Sequence, residues 1–262
     1  MHVRESERAT MAGHSKWANI KHRKAAQDAK RGKHFAKRIR AIESAAKEAN
    51  TSDPDQSPTL AMAVQKAKDA DVPKDNIERA CKRGAGELDG AATYETAQYE
   101  GYAPGGVAVL VDVLTDNRNR TASDVRRAFT KVGGSLAEPG SVAFLFSRRG
   151  QVRVDATGVG EDELMLVGLD HGMDDLESDD GNFLAWCDPT ALTDLRKAIE
   201  EAGYTVVEST TTMVPASTVP IEEPSQARKV LSLFDQLEDN DDVQDVYANA
   251  DFDDAVLQTI DA

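Results

Sequence analysis

The first ninety residues carry apolar side chains at helical spacing. From Phe35 onward, apolar positions recur every three or four residues while charged residues occupy the other faces, which predicts an amphipathic helix. The segment NTSDPDQSP (50–58) is rich in helix-breaking residues and predicts its end. A second helix follows, and a third runs from near Pro73 to Gly84. The positions predicted to face inward on these three helices are Phe35, Ile39, Ile42, Ala46, Ala49, Leu60, Val64, Ala67, Val72, Ile77 and Cys81.

After residue 93 the pattern changes to short apolar runs that alternate with helical segments. Runs rich in Val, Leu, Phe and Thr predict strands at 106–115, 141–146, 151–155, 182–187, 204–214 and 242–249. Helical spacing and capping residues predict helices at 121–131, 161–171, 188–203 and 224–237. The third of these helices has the clearest boundaries, with Asp188 as N-cap, Pro189 at the first position and Gly203 after the end.

The connections between these elements indicate the fold class. Many strands are joined by hairpin-scale turns such as SRRG (147–150), and the chain has no Gly-rich dinucleotide fingerprint. The pattern predicts an α+β fold, with an N-terminal helical domain followed by two small α/β sandwich (ferredoxin-like) domains. A doubly wound parallel sheet is disfavoured.

Composition indicates where in the cell the protein is located and what role its two cysteines have. No apolar run approaches 18 residues and no apolar segment follows the N-terminus, so neither a membrane span nor a secretory signal is predicted, and we expect the protein in the cytoplasm. Cys81 and Cys187 lie far apart in sequence, and we interpret both as buried small apolar residues rather than as a disulfide or metal ligands.

Charge is distributed very unevenly along this chain of formal net charge −15. Residues 11–50 hold 11 Lys and Arg against 3 Asp and Glu, a net charge of +8, whereas residues 51–262 hold 18 against 41, a net charge of −23. This asymmetry predicts a basic arm that binds a polyanion, attached to a body that repels polyanions.

The basic arm, GHSKWANIKHRKAAQDAKRGK (13–33), is the main candidate site. Its alanines form only a thin apolar face, its charges are nearly all positive, and aromatic, amide and histidine side chains lie among them. We predict nucleic-acid contacts from Lys16, Trp17, Asn19, Lys21, His22, Arg23, Lys24, Lys30, Arg31 and Lys33. Two alternatives stay open: the charges form only a solvated helix end, and Trp17 anchors the arm to the body instead of stacking on bases.

A second candidate lies in TDNRNRTASDVRRAF (115–129), where a buried strand leads into a helix. Arg118 and Arg120 flank a helix N-terminus whose free amides favour anions, so a phosphate or carboxylate is the predicted ligand. The alternative is a turn in which Asp116 and Asn117 bond to the backbone while the arginines stay solvated. The nearby YEGYAPGG (99–106) lacks the Lys-Ser/Thr ending of a phosphate loop and is interpreted as a turn before a strand.

Catalytic and metal-binding patterns are not found in the sequence. There is no nucleophile elbow and no His-Glu-x-x-His motif. The run from Asp170 to Asp175 includes only His171 as a nitrogen ligand, and we interpret its carboxylates as solvated surface. We therefore predict a protein that is not an enzyme and has no metal or cofactor.

Five blocks of the sequence resemble, in order, the YebC/PmpR family of probable transcriptional regulatory proteins. They are MAGHSKWANIKHRKAAQDAKRGK, VPKDNIERACKRG, YEGYAPGGVAVLV, TDNRNRTASDVR and GGSLAEPGSVAFLF. The resemblance runs from residue 11 to about 250, and Met11 falls where the family starts. Residues 1–10 depart from the pattern, and we expect them to be a disordered extension or to precede the natural start.

The resemblance implies three domains, the third inserted into the second. Combined with the pattern along the chain, it predicts a basic helical domain at 11–90, a middle α/β domain at 93–147 plus 215–253, and an inserted α/β domain at 148–214.

The resemblance also implies a cytoplasmic, non-enzymatic protein that acts on gene expression. We predict a nucleic-acid-binding regulator of the DNA-binding transcriptional type, with DNA or ribosomal RNA as the partner of the arm and a monomer favoured over an oligomer. The alternative is a ribosome- or ribosomal-RNA-associated translation factor that relieves stalling at difficult sequences such as proline runs. No membrane partner is expected.

Overall fold

The computed structural model describes residues 28–90, 93–179 and 181–261; the predictions for residues 1–27 lie outside these ranges. Its elements follow one another as α1 (Asp28–Ala49), a 3-10 turn (Pro54–Gln56), α2 (Pro58–Asp69), α3 (Lys74–Gly84), β1 (Glu95–Ala103), β2 (Val107–Thr115), α4 (Arg118–Val132), β3 (Ser135–Leu136), a 3-10 turn (Ala143–Leu145), β4 (Phe146–Asp155), α5 (Glu161–Leu169), β5 (Met173–Asp179), β6 (Asn182–Cys187), α6 (Leu192–Glu201), β7 (Val206–Pro215), β8 (Val219–Ile221), α7 (Pro224–Glu238), β9 (Val243–Ala248), β10 (Ala250–Phe252) and α8 (Asp254–Asp261). The α+β class is therefore confirmed.

The helical region forms as the apolar spacing predicts. Ser57 caps α2 by accepting a hydrogen bond from the Leu60 N–H at 3.3 Å, and Pro58 takes the first helical position. Helices α1 and α3 approach closely at Gly84, where a Cβ would come within 2.4 Å of the Glu43 carbonyl oxygen. Predicted inward positions that are buried are Ile42, Ala46, Leu60, Val64, Ala67, Val72, Ile77 and Cys81.

The middle sheet has the strand order β3-β1-β2-β9. Strands β1 and β2 form an antiparallel hairpin, and β9 pairs antiparallel with the other edge of β2. Helices α4 and α7 cover one face with a common apolar core that includes Val125, Phe129, Val230 and Phe234. The two central strands, β1 and β2, are consecutive in the chain, and the two edge strands, β3 and β9, follow them in sequence.

The inserted segment forms a separate sheet with strand order β5-β6-β4-β7. Its chain order, β4-α5-β5-β6-α6-β7, is the βαββαβ arrangement of the ferredoxin-like fold. Apolar residues of β4, β6, α5 and α6 form its core. At the base of the insertion, the Ala216 N–H donates to the Leu145 carbonyl oxygen at 2.8 Å, so the outgoing and returning chains are hydrogen-bonded.

By contacts between residues, the described chain divides into two units. One contains residues 28–37, 93–147 and 214–261, and the other contains residues 38–90 and 148–213. The predicted boundaries of the three domains stay predictions.

Two predictions around residue 145 are wrong. The run SVAFLF was predicted as a strand, but Ala143–Leu145 is a 3-10 turn, because the Val142 and Ala143 N–H groups bond to the Glu100 carboxylate instead of to a neighbouring strand. SRRG was predicted as a turn, but β4 continues through it. Gly150 serves close packing there, since a Cβ would come within 2.6 Å of the Cys187 sulfur.

Two helix starts also differ from the prediction. Helix α6 begins at Leu192 rather than Pro189, because Asp188 caps a preceding turn by accepting from the Thr190 N–H at 2.9 Å. Helix α4 begins three residues early, at Arg118, with Asn117 as its N-cap. The elements that the pattern did not predict are β1, β3, β5, β8, β10 and α8.

A buried carboxylate holds the loop at 137–145, which we call the Glu100 loop. Glu100, on β1, accepts hydrogen bonds from the N–H groups of Gly140 at 2.6 Å, Val142 at 2.6 Å and Ala143 at 2.8 Å. Desolvation by burial raises the pKa of Glu100, but these three bonds outweigh it and leave the pKa below its ordinary value. The ionised carboxylate therefore stabilises the loop.

We expect Glu100→Gln to lower the free energy of unfolding by about 3 kcal/mol at neutral pH, because the amide removes the charge and one acceptor from three N–H groups. The difference from wild type should be complete above about pH 4.3, the ordinary pKa of Glu, and should vanish as the pH falls through the lowered pKa of the folded state. Urea unfolding at several pH values measures it. Glu95→Gln, at an exposed position of the same strand, is the control; a pH-independent difference would contradict the expectation.

Candidate nucleic-acid interface

Most of the basic arm lies outside the described residues. Lys16, Trp17, Asn19, Lys21, His22, Arg23 and Lys24 precede residue 28. Lys30 and Arg31 lie in the first part of α1, where only the backbone is described. Lys33 is the first of the predicted arm contacts with a described side chain, and these assignments as a whole stay predictions.

Lys33 and Lys37 are placed at the C-terminal end of α7. Lys37 is only 7% exposed, and its ammonium donates to the Glu238 carbonyl oxygen at 2.5 Å. The Lys33 ammonium lies 3.4 Å from the Asp239 carbonyl oxygen and 3.9 Å from its carboxylate. The C-terminal carbonyls of a helix carry partial negative charge, which favours cations at this position. These contacts connect the end of the arm to the middle sheet's helix layer.

Sequence reasoning did not single out Lys37. Its position among the charged faces of α1 gives no sign that its ammonium is buried, since the acceptor carbonyl lies 201 residues away in sequence. Only the approach of α7 creates the site. Lys33, by contrast, was predicted as a phosphate contact, and its ammonium lies near the carbonyl oxygen and the carboxylate of Asp239.

The second candidate, around Arg118 and Arg120, is a capped helix start. The Asn117 side chain accepts from the Arg120 N–H at 3.1 Å, and the Asn117 N–H donates to the Thr115 hydroxyl oxygen at 2.9 Å. This agrees with the turn alternative for Asn117. The Arg120 guanidinium, however, is not simply solvated, because it donates to Asp116 at 2.8 Å and to Asp242 at 2.7 Å.

Asp242 is the centre of a polar network beneath this helix start. Its carboxylate also accepts from the Thr121 hydroxyl at 2.7 Å and the Thr115 hydroxyl at 3.1 Å. Desolvation raises the pKa of Asp242, but the bonds from Arg120 and the two threonines prevail and lower it. The network joins β2, α4 and the approach to β9 through side chains.

The two arginines therefore differ in what they offer an anion. Hydrogen bonds from its guanidinium to Asp242 and Asp116 raise the pKa of Arg120, and both carboxylates offset its charge. The Arg118 side chain is exposed, while its backbone carbonyl accepts from the Tyr99 hydroxyl at 3.2 Å. Of the pair, Arg118 is the better placed to meet an anion from solvent.

Across the described ranges, no three His, Cys, Asp or Glu side chains group in a way that could hold a metal ion. Nor do those ranges contain a helix with the length and apolar character needed to cross a membrane.

Both cysteines are buried and free, which confirms their interpretation as small apolar residues. Burial raises the pKa of Cys81, and it raises the pKa of Cys187 to about 11, so neither thiol is activated as a nucleophile.

Two family models cover nearly all of the chain. Residues 15–87 match the TACO1/YebC protein N-terminal domain, and residues 94–250 match the TACO1/YebC second and third domain.

Relatives from several bacteria match over almost their whole length. A protein of Thermobifida fusca is 53% identical over 250 residues, covering 95% of this chain and 100% of the relative. One of Rubrobacter xylanophilus is 52% identical, covering 95% and 99%. Both bear the name "Probable transcriptional regulatory protein". The crystal structure of a conserved hypothetical protein from Aquifex aeolicus matches with a TM-score of 0.78 at 43% identity, covering 87% of this chain and 93% of that chain.

We expect Thr121→Val to lower the free energy of unfolding by about 1–2 kcal/mol, because the change keeps the shape of a buried side chain but removes one donor to Asp242. Thr130→Val is the matched control on the same helix, at an exposed position whose hydroxyl bonds only to the Arg126 carbonyl oxygen. Its effect should stay within about 0.5 kcal/mol. Urea unfolding of the two variants tests this, and equal losses would refute a role for the network.

Proposed function

Because this chain belongs to the TACO1/YebC family, we propose that it is a non-catalytic, DNA-binding regulator of transcription. The proposal rests on the name shared by its relatives, "Probable transcriptional regulatory protein", together with the charge distribution of this chain. The basic arm at 13–33 is the proposed contact with the phosphate backbone.

Electrostatics supports the arm as the main binding element. Residues 11–50 carry a net charge of +8 and residues 51–262 a net charge of −23. A polyanion approaching the body meets repulsion, so the favourable contacts concentrate on the arm. Binding of this kind weakens steeply as salt rises, because each phosphate contact releases condensed counterions.

The contacts that Lys33 and Lys37 make with α7 distinguish Lys33 from the basic residues that precede it in the arm. Lys37 is committed to the Glu238 carbonyl oxygen and Lys33 lies beside Asp239. The basic residues that precede Lys33 are therefore the proposed phosphate contacts: Lys16, Lys21, Arg23, Lys24, Lys30 and Arg31. Arg118, exposed at the start of α4, is the proposed secondary contact.

A cytoplasmic location is part of the proposal. Two free, buried cysteines are compatible with a reducing compartment, where disulfides are rare. A monomer is the oligomeric state that we propose.

Replacing Lys21, Arg23, Lys24 and Arg31 together with Ala should abolish binding to duplex DNA at moderate salt and leave the fold unchanged. If about four phosphates are contacted, the slope of log affinity against log salt should fall by roughly 3 to 4. Fluorescence anisotropy across a salt series measures both. The control replaces exposed Lys131, Lys197, Arg228 and Lys229 with Ala, which removes the same charge from the body; equal losses in both variants would contradict a specific role for the arm.

The target itself is tested by genome-wide DNA occupancy beside sucrose-gradient sedimentation of cell extract. Discrete occupied DNA sites that disappear in the arm variant support the proposal. Comigration with ribosomes without discrete DNA sites would overturn it in favour of a ribosome-associated translation factor.

A further inference from the structure

The Glu100 loop carries the most exposed large apolar side chain of the described residues. Phe144 is 74% exposed, whereas Val142 and Phe146 on either side of it are buried. Burial of the two flanking side chains fixes the direction of the backbone between them. The Phe144 ring is therefore presented to solvent.

The loop is held in place at several points, so the position of this ring is defined. The Glu100 carboxylate binds three of its N–H groups, and the Glu100 backbone carbonyl accepts from the Ala137 N–H at 2.8 Å. At the other end, the Leu145 carbonyl oxygen accepts from the Ala216 N–H at 2.8 Å. A ring on such a loop binds a ligand with little loss of conformational entropy.

A second exposed aromatic side chain is tied to the same loop. Tyr102, on β1, is 36% exposed, and its hydroxyl donates to the Ser141 carbonyl oxygen at 3.1 Å. Among the described large apolar residues that are exposed, Phe144 and Tyr102 are the aromatic ones; the others are Leu88, Leu166, Leu169 and Val207. In a chain with 7 Phe, 5 Tyr and 2 Trp, one of the two exposed rings of the described part lies in this loop and the other is hydrogen-bonded to it.

We propose that Phe144, on the loop to which the Tyr102 hydroxyl is hydrogen-bonded, stacks against an unpaired base of a bound nucleic acid. This inference rests on the proposed function, and it names a second contact besides the arm. A base offers a flat aromatic face that one exposed ring can cover, whereas a stable protein interface needs a much larger buried area than this pair of rings supplies.

The charge of the loop separates this contact from phosphate binding. Glu138 is the single charged residue between 137 and 147, and it is exposed. An acidic side chain repels phosphates, so the loop contributes stacking while the arm supplies the phosphate contacts. Bases inside a duplex already stack on each other, so the ring is available chiefly to single strands or to flipped or unpaired positions.

The test compares Phe144→Ala, Phe144→Tyr and Leu166→Ala with wild type by fluorescence anisotropy. The probes are a fluorescein-labelled 12-nucleotide single strand, as DNA and as RNA, and the duplex of the same DNA sequence. Leu166→Ala is the matched control because Leu166 is exposed to a similar extent, 70%, and lies on α5, away from the Glu100 loop in sequence. Thermal unfolding checks that each variant is folded.

Phe144→Ala should weaken single-strand binding about 5- to 150-fold, the range that loss of one stacked base predicts. Phe144→Tyr should bind as wild type, Leu166→Ala should have no effect, and duplex affinity should not change. The slope of log affinity against log salt should be the same for Phe144→Ala and wild type, because no phosphate contact is lost. Equal losses on DNA and RNA strands support stacking on either, and a loss on one strand alone assigns the contact to that strand.

Unchanged single-strand binding by Phe144→Ala would overturn the stacking proposal, and so would an equal loss on duplex DNA. If the arm variant loses binding while Phe144→Ala does not, the proposed function stands without the stacking contact. If wild-type protein binds none of the three probes, both fail. These outcomes separate the two proposals.

Discussion

Burial of β2 on both faces is the constraint on which the middle sheet depends. Val109, Leu110 and Val111 are all inaccessible to solvent, so both edges of the strand must be paired and both faces covered. One edge pairs with β1, its neighbour in the chain. The other edge pairs with β9, which lies more than 125 residues further along the chain. The hydrogen bond between Ala216 and Leu145 closes the base of the insertion on the way there. Formation of this sheet is therefore non-local, which predicts slow folding relative to the helices.

Several carboxylates of this acidic chain act inside the protein rather than as solvated charge. Glu100 accepts hydrogen bonds from N–H groups of a loop, and Asp242 accepts them from hydroxyls and a guanidinium. Asp69 pairs with the largely buried Arg196 at 2.8 Å. In each case a single ionised carboxylate accepts from several donors. Removing one partner leaves a buried charge or N–H group unpaired, and its desolvation penalty then lowers the free energy of unfolding. The internal carboxylates thus fix loops and helix starts, while the remaining acids set the repulsive field of the body.

The two proposals together assign different physical terms of nucleic-acid binding to different parts of the chain. The arm carries the positive charge, and Lys33 and Lys37 connect its end to α7. The Glu100 loop, with the exposed Phe144 ring and one acid, carries no cation to neutralise phosphates, and its proposed contribution is stacking on bases. Charge provides affinity without sequence information, whereas base contacts distinguish unpaired from paired strands. Such a division lets salt dependence and strand preference vary independently.

The sequence by itself determined the helical region, the α+β class, the strands around 106–115 and 182–187, and the charge asymmetry, because periodicity and charge are local properties that each segment carries alone. It missed β1, whose Gly101 and polar residues break the strand pattern although Phe129 packs against that glycine. It also predicted a strand for SVAFLF, since nothing in the sequence near Phe144 reveals that the Glu100 carboxylate accepts from the neighbouring N–H groups. The partners of Lys37, Glu100 and Asp242 lie between about 40 and 200 residues away. Only the tertiary structure decided these, because a hydrogen bond depends on atoms meeting within about 3 Å, which spacing along the chain does not encode.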